Sequence, residues 1–509
     1  MKKGSRTHKS LQNAKVNLVF YLLSLLLLFF SRKIFLNCLG AEFIGLTGTL
    51  QNILGFLNLA ELGVGASVSY ALYQPIAKGN REEICRIVSV FGCLYRYIGG
   101  FVLAAGIVVS VFFPFIFNHT VFELGIIYFA FYAFLTSSLI GYFINYRSIM
   151  LYADQRLYVV TACFHTATLI KTLVQMALVY YTSNLYLWVS IELIFGFIHA
   201  IILNWKIQQT YPWLSANTKT GKQVRNQYPE IVQKTKQVFV HKMKDFLLQQ
   251  CDQILIFAFV SLKMVAYYGN YTMVIGRITI LFTIMMGGIV AGVGNLIAEG
   301  DKEKICSVFG EMMFTYYVIA GIVVFSVYHG IQPFISVWLG EEYLLSQTIL
   351  ILLVVNAFIM LSRGAVDTFN VAYGNYHDTW SAWVEGAINI SITLITCYLW
   401  GLPGILIGKI ASLIPIIVIW KPLFLYRTSF HRPIWHYWKN VTLMLLCFAI
   451  AFAVSSAVAR LLPIEPYHGF LPWAAYCLIS TSLFSAIYVA TLYISTEGAR
   501  SMVRRVIKR

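Results

Sequence analysis

The sequence contains few charged residues. Asp, Glu, Lys and Arg make up 12% of the 509 residues, whereas hydrophobic residues make up 59%. Soluble domains carry roughly a quarter charged residues, so the composition excludes an ordinary soluble protein and predicts an integral membrane protein. The apolar runs are long and continuous instead of alternating, which excludes a transmembrane β-barrel.

Motifs that carry chemistry are also scarce. The nine cysteines are scattered and form no CxxC or Cys/His cluster, so we expect neither a disulfide framework nor a metal site. No GxxxxGK[ST] phosphate-binding loop is present, which argues against ATP hydrolysis by this chain. We therefore expect no cofactor and no enzymatic activity. The first apolar run lacks a small-residue cleavage site and is interpreted as a span, not as a signal peptide.

Long apolar runs separated by polar breaks are what the sequence does contain. A helix needs about 20 mostly apolar residues to cross roughly 30 Å of hydrocarbon. The runs predict an all-α membrane protein with about fourteen transmembrane helices. We place these spans at residues 16–36, 42–73, 87–117, 121–146, 157–181, 184–205, 238–260, 267–298, 307–335, 346–370, 379–400, 403–426, 438–462 and 469–496.

The positive charges predict the orientation of these spans. With a cytoplasmic N-terminus, the inside segments hold 29 of the 38 Lys and Arg residues, and only Lys263 and Arg460 fall in outside loops. Lys and Arg collect on the cytoplasmic side of membrane proteins, so we expect both termini to be cytoplasmic. The net charge of +17 then reflects orientation and attraction to anionic lipid head groups, not nucleic acid binding.

A short charged motif occurs twice in the chain. Residues 76–85 read IAKGNREEIC and residues 297–306 read IAEGDKEKIC, 221 residues later, with six of ten positions identical. Each copy follows a second span, so spans 1–6 and 7–12 are predicted to be two parallel six-helix repeats, followed by two additional helices. Parallel repeats with a substrate site between them are typical of transporters. The predicted segments are a basic tail (1–15), the first bundle (16–205), a linker (206–237), the second bundle (238–426), two helices (427–496) and a basic tail (497–509).

Three stretches of local sequence carry a family resemblance. These are LGAEFIGLTG (39–48), AELGVGASVSYALYQPIAKGN (60–80) and DQILIFAFVSLKMVAYYGNYTMVIGRI (252–278). Together with the layout of six, six and two spans, they resemble the polysaccharide-transport (Wzx-type) branch of the multidrug/oligosaccharidyl-lipid/polysaccharide exporter superfamily.

The resemblance implies a flippase in the bacterial inner membrane. Such a protein moves polyprenyl-pyrophosphate-linked oligosaccharide to the outer leaflet for surface polysaccharide synthesis such as O-antigen, by alternating access. Its partners would be this substrate, membrane lipids, a coupling proton or sodium ion, and polysaccharide assembly proteins. Three alternatives stay open: a lipid II flippase, a multidrug/cation antiporter and, from a different class, a membrane polysaccharide polymerase. A polymerase would need a large outside loop or soluble domain, and the predicted outside loops are short.

Cations inside the predicted spans are candidates for binding an anionic substrate. A charge at the centre of a span costs about 2.5–3.5 kcal/mol, so these residues must face the interior, pair or reach the membrane surface. Arg32 and Arg277 are the first candidates, since the superfamily places spans 1 and 8 at the central cleft and a guanidinium binds phosphate oxygens in two-pronged fashion. Arg96 is a weaker candidate, and Arg363 either binds substrate or pairs locally with Asp367. Lys171 is expected to pair with Glu192, and Lys409 to extend its amine to the membrane surface.

Acidic residues inside the spans are candidates for carrying a coupling ion. Desolvation favours the protonated form of a carboxyl group, which suits such a role. The candidates are Glu61, Asp252, Asp367 and Glu385. Asp245, Gln249 and Asp252 share one face of span 7 by helical periodicity, where they form either part of the cavity wall or a polar contact between helices.

Overall fold

A computed structural model describes residues 6–61, 64–229, 231, 235, 252–286, 289–375 and 378–507. These residues are predominantly helical and include no β-strand. The chain divides into two compact units, Met1–Ala266 (unit 1) and Tyr267–Arg509 (unit 2). The predicted all-α fold class is confirmed.

Unit 1 follows the predicted order of spans 1–6. Its helices are α1 (Arg6–Leu39), α2 (Ala41–Leu57), α3 (Val64–Lys78), α4 (Arg81–Val111), α5 (Phe113–Ile116), α6 (Leu124–Phe143), α7 (Ile149–Ala153), α8 (Leu157–Thr182), α9 (Leu185–Thr210), α10 (Thr218–Val224) and α11, of which residues 252–259 are described. Short 3-10 turns at Asn58–Glu61 and Asn145–Ser148 follow α2 and α6.

Helix α12 (Leu262–Met286) crosses the division between the units, and the remaining helices belong to unit 2. These are α13 (Ile289–Glu299), α14 (Lys302–Trp338), α15 (Gln347–Ser362), α16 (Gly364–Ala372), α17 (Thr379–Trp400), α18 (Leu402–Leu413), α19 (Lys421–Leu425), α20 (Trp435–Ala459), α21 (Phe470–Ser495) and α22 (Glu497–Ile507). Two π-helical stretches, Ile414–Trp420 and Tyr426–Phe430, flank α19.

Eleven helices in the described part of the chain are long and apolar enough to cross a membrane. They correspond to the predicted spans 1, 3–6 and 9–14. The second and eighth predicted spans are each represented by two consecutive helices, α2 with α3 and α12 with α13. Of the seventh predicted span, only residues 252–259 and the turn that follows lie within the described ranges. The chain is thus a multi-pass membrane protein.

The repeated motif forms the same turn in both units. Gly79 and Gly300 adopt φ of +69° and +79°, a left-handed conformation that glycine tolerates best. Immediately after them, the side chains of Asn80 and Asp301 accept a hydrogen bond from the backbone N–H three residues on, each at 3.1 Å. The identities in the motif are therefore explained by a glycine that ends one helix and a cap that begins the next.

This cap moves two helix boundaries away from the sequence-based prediction. Helices α4 and α14 begin at Arg81 and Lys302, whereas the apolar runs predict starts at residues 87 and 307. The charged residues of the motif form the first turns of these helices instead of a loop, because the cap satisfies backbone donors and the acidic residues that follow it interact favourably with the helix dipole.

Helix α10 packs against the beginning of α4. A Cβ placed on Gly221 would lie 1.9 Å from the carbonyl oxygen of Ser89, so only glycine fits at this contact. Farther along, Tyr228 donates a hydrogen bond of 2.6 Å to Glu83. Burial raises the pKa of Tyr228 above its ordinary value, and the hydrogen bond to Glu83 raises it further. The segment after α9 is thus docked on the predicted cytoplasmic end of unit 1.

Helix α22 makes the corresponding contact in unit 2. A Cβ on Gly498 would lie 2.4 Å from the carbonyl oxygen of Gly310, and Gly310 stands 221 residues after Ser89. Beside this contact, Ser501 donates a hydrogen bond of 2.7 Å to the buried Glu311. Each unit therefore has a helix docked through glycine at the same position of its repeat.

Candidate functional site

Glu61 lies at the interruption between α2 and α3, at the end of a 3-10 turn. Its carboxylate accepts hydrogen bonds from the phenol of Tyr95 on α4 at 2.5 Å and from the phenol of Tyr142 on α6 at 2.8 Å. The phenol of Tyr142 and the hydroxyl of Ser138 both lie 3.0 Å from the side-chain oxygen of Asn58. Elements distant in sequence thus hold one carboxylate through neutral donors, without an ion pair among the described residues.

A cavity of about 750 Å³ opens beside this cluster, inside unit 1. Its walls come from α3, α4, α6–α9 and the two 3-10 turns. Glu61 is its single acidic lining residue, and no Lys or Arg lines it. The remaining polar lining residues are neutral or histidine: Asn58, Ser69, Tyr95, Ser138, Tyr142, Asn145, Ser148, Tyr152, Thr161, His165 and His199.

Aromatic rings form two patches of the cavity wall. Near Glu61, the rings of Tyr95 and Tyr142 meet edge to face at 5.3 Å. On α8 and α9, the ring of Phe164 meets those of His165 and His199 edge to face, each at 5.4 Å. Within the described ranges, Nε2 of His199 is buried without a hydrogen-bond partner. The cavity therefore combines aromatic surface with a single carboxylate.

Unit 2 has an apolar core where unit 1 has this cluster. The repeat offset of 221 residues places Phe282 and Tyr316 at the positions of Glu61 and Tyr95. The rings of Phe282 and Tyr316 meet edge to face at 5.5 Å within the hydrophobic core of unit 2. Because the fold repeats and this polar chemistry does not, the cluster in unit 1 is not a requirement of the fold.

The cations proposed to bind substrate differ in their surroundings. Arg32 on α1 is half-buried and donates a hydrogen bond of 3.2 Å to the carbonyl oxygen of Ala266. Arg277 on α12 is also half-buried but belongs to unit 2. Arg96 on α4 is exposed and is not among the residues that line the cavity. Binding of pyrophosphate by Arg32 and Arg277 stays a prediction.

Arg363 and Asp367 form the local ion pair that their spacing allows. The guanidinium Nε lies 2.5 Å from a carboxylate oxygen of Asp367, and both side chains are partly exposed. The charge of Asp367 is thus compensated by a neighbour one helical turn away. A role of either residue towards substrate or ion stays a prediction.

The other acidic candidates are buried. Asp252 is 9% exposed and Glu385 on α17 is 1% exposed. Asp245 and Gln249, predicted to share a face with Asp252, lie outside the described residues. Among the four candidates for ion coupling, Glu61 is the one that the structure brings to a cavity of unit 1.

Lys171 and Glu192 form the ion pair predicted between the fifth and sixth spans. The amine lies 2.5 Å from the carboxylate, whose other oxygen accepts a hydrogen bond of 3.2 Å from Gln175. This pair therefore satisfies two charges within the membrane. Lys409 on α18 is half-buried, and its expected reach to the membrane surface stays a prediction.

Sequence reasoning missed two clusters. Tyr95, Tyr142 and the histidines of the cavity are neutral or aromatic, and nothing in their spacing distinguishes them from other residues of apolar helices. In unit 2, the buried carboxylate of Asp378 accepts a hydrogen bond of 2.7 Å from Lys421 and one of 3.2 Å from Trp420. An acid just before one span and a lysine near the end of the next were a signal that could have revealed this pair.

Comparisons with known proteins give the fold. No protein-family model matches the sequence, and a search of curated proteins finds no match. Among solved structures, "Lipid II flippase MurJ, inward closed conformation" is similar with a TM-score of 0.64 and 13% identity, covering 95% of this chain and 98% of that chain. An inward-facing multidrug resistance MATE family transporter of the MOP superfamily is similar with a TM-score of 0.57 and 14% identity, covering 81% and 96%. The fold is that of these transporters.

This result bears on the predicted resemblance. The superfamily named from local sequence contains the fold found by structural similarity, so the predicted architecture is confirmed at that level. The Wzx type and the substrate are finer statements that fold similarity at such low identity leaves to a functional test. In the described part of the chain, no group of three His, Cys, Asp or Glu residues is arranged to hold a metal ion.

Proposed function

We propose that the chain is a flippase that moves polyprenyl-pyrophosphate-linked oligosaccharide from the cytoplasmic to the outer leaflet by alternating access. The observation that carries this proposal is the extent of the structural similarity. The lipid II flippase structure covers 95% of the chain and the MATE structure covers 81%. The difference is about one seventh of the chain, close to the length of α20, α21 and their connections. A lipid-flippase layout therefore suits this chain better than that of a drug antiporter.

The charges of the substrate suit the proposed binding residues. A pyrophosphate is an anion, and the planar guanidinium of arginine is well matched to phosphate oxygens. Arg32 and Arg277 are proposed to hold it, one from each unit. The polyprenyl chain would remain in the lipid, as expected of a substrate that the protein turns over without releasing it from the membrane.

Glu61 is the proposed coupling residue. Its carboxylate is held by two phenols but no ion pair, and it borders a cavity. Binding and release of a proton or a sodium ion would change the charge in that cavity, which biases one conformation over another if the two states bind the ion differently. Asp367 is less suited because Arg363 already compensates its charge.

The test is a flipping assay with purified, full-length protein in vesicles. Fluorescent undecaprenyl-pyrophosphate oligosaccharide and fluorescent lipid II are reconstituted separately, and a membrane-impermeant quencher reports the fraction in the outer leaflet. We expect the oligosaccharide lipid to equilibrate in minutes and lipid II to stay in place. Movement of lipid II alone would replace this proposal by the lipid II flippase, which the similarity to a lipid II flippase structure favours as the second candidate. Movement of neither substrate would refute both.

Variants at Arg32 test how the substrate is bound. Arg32→Ala is expected to lower the flipping rate at least ten-fold, and Arg32→Lys to restore it only partly because an ammonium lacks the planar fork. Lys33→Ala is the matched control, since Lys33 is the adjacent cation on the same helix and is exposed. Equal losses for Arg32→Ala and Lys33→Ala would contradict a specific role.

Variants at Glu61 test the coupling step separately. Glu61→Gln keeps the shape and removes the charge. We expect downhill equilibration to persist while its acceleration by a proton or sodium gradient disappears. Retention of that acceleration in Glu61→Gln would exclude Glu61 as the coupling residue.

A further inference from the structure

The cavity of unit 1 is unsuited to the anionic part of the proposed substrate. Its lining includes the carboxylate of Glu61 and neither Lys nor Arg. A pyrophosphate brought beside this carboxylate would be repelled, and the repulsion is strong where protein replaces water. The charge of the cavity therefore favours a cation.

The aromatic lining favours an organic cation over a hydrated metal ion. Tyr95, Tyr142 and Phe91 surround the approach to Glu61, with ring centroids 4.0 Å apart for Phe91 and Tyr95 and 5.3 Å apart for Tyr95 and Tyr142. Phe164 and His199 add a second aromatic surface. Aromatic faces attract cations through their quadrupole and also bury apolar groups.

The size of the cavity points to the same class of ligand. At about 750 Å³, it lies within the range of roughly 300–1,000 Å³ that is usual for sites of drug-sized ligands. A proton or a sodium ion occupies only a small part of such a volume. A bulky cation fills the space and displaces water from aromatic surface, which adds a hydrophobic contribution.

We propose that this cavity is a binding site for an apolar organic cation, with Glu61 as its counter-ion and the rings of Tyr95, Tyr142 and Phe164 as its walls. The inference goes beyond flipping of a lipid-linked oligosaccharide and does not depend on it. The site belongs to unit 1, because the repeat-equivalent residues Phe282 and Tyr316 form apolar core in unit 2.

The experiment compares two ions of nearly equal shape and opposite charge. Tetraphenylphosphonium and tetraphenylborate are titrated into purified, full-length protein by equilibrium dialysis. We expect saturable binding of the cation, with Kd in the micromolar range, and no saturable binding of the anion. Glu61→Gln is expected to weaken cation binding at least ten-fold, and Phe164→Ala three- to ten-fold. Glu123→Gln is the matched control, because Glu123 is an exposed carboxylate of unit 1 outside the cavity lining, and its Kd is expected to change less than two-fold.

Three outcomes would overturn the proposal. The first is equal affinity for the two ions, which would mean adsorption by hydrophobicity alone. The second is equal weakening by Glu61→Gln and Glu123→Gln. The third is binding of sodium or protons at Glu61 with no cation binding at all, which would reduce the cavity to a coupling site. Each variant is first checked for a monodisperse elution profile and a normal melting temperature, and Glu61→Gln is isosteric, so a loss of binding is not a loss of folding. The flipping assay is a separate measurement, so either proposal can fail alone.

Discussion

Removal of one partner from the ion pair of Lys171 and Glu192 is expected to destabilise unit 1 strongly. The two side chains are 17% and 21% exposed, and their charged atoms lie 2.5 Å apart between two membrane-spanning helices. Breaking a buried pair leaves an uncompensated charge and costs about 3–5 kcal/mol. Because a fifth of each side chain is still exposed, the lower end of this range, about 3 kcal/mol, applies to Lys171→Met.

The double variant separates charge from packing. Replacement of both partners, Lys171→Met with Glu192→Gln, removes both charges together and is expected to cost about 1 kcal/mol or less. The interaction energy from the double-mutant cycle should therefore be about 2–3 kcal/mol. Thermal unfolding of the detergent-solubilised protein measures it, with Lys171→Met expected to lower Tm by about 6–12 °C at 2–4 °C per kcal/mol.

An exposed ion pair in the same unit provides the control. Arg86 and Glu82 lie 2.6 Å apart one turn apart on α4, with side chains that are 46% and 77% exposed. Such pairs contribute about 0.3–0.5 kcal/mol, so a cycle on this pair should give almost no coupling. If the Lys171–Glu192 cycle gave an equally small value, or if the double variant were as unstable as Lys171→Met, the reasoning from burial would be wrong.

Three further predictions concern topology and packing. Reporter domains fused after Thr120 should be detected outside the cytoplasm, and those fused after Lys222 inside; an inside signal at Thr120 would rule out the fourteen-span topology. Gly498→Ala should destabilise the protein by about 1–3 kcal/mol because its Cβ would meet the backbone of α14, whereas Gly100→Ala, where a Cβ meets nothing within 4 Å, should not; unchanged Tm for both variants would contradict the docking of α22. Asp301→Ala should cost about 1 kcal/mol by loss of the helix cap, measured by the same thermal assay, and a shift as small as that of Gly100→Ala would mean that the cap is dispensable.

Local patterns in the sequence predicted much of the fold and part of its polar chemistry. Continuous apolar runs gave the helices, because crossing a membrane demands length and hydrophobicity. The pair Arg363–Asp367 followed from its spacing of four residues. The pair Lys171–Glu192 followed from the short connection between two neighbouring spans.

The cavity was beyond such reasoning. Tyr95 and Tyr142 reach Glu61 from 34 and 81 residues away, and two phenols do not stand out among 32 tyrosines. Their contact depends on the interruption of the second span at Asn58–Glu61, which places the carboxylate towards α4 and α6. Composition indicated that Glu61 needs a partner, but only the packing of three separate elements identified it.

The docked helices α10 and α22 bear on how the chain arose. Both meet the same backbone atoms of the repeat, around Ser89 in one half and around Gly310 in the other. Yet α10 comes after the sixth span of its half, whereas α22 comes only after the two further spans α20 and α21. The simplest history is an ancestral half of six spans and a trailing helix that was duplicated whole, with α20 and α21 inserted afterwards ahead of the second trailing helix. The extra spans are then an internal insertion at residues 431–496, and α22 is older than the two helices that precede it.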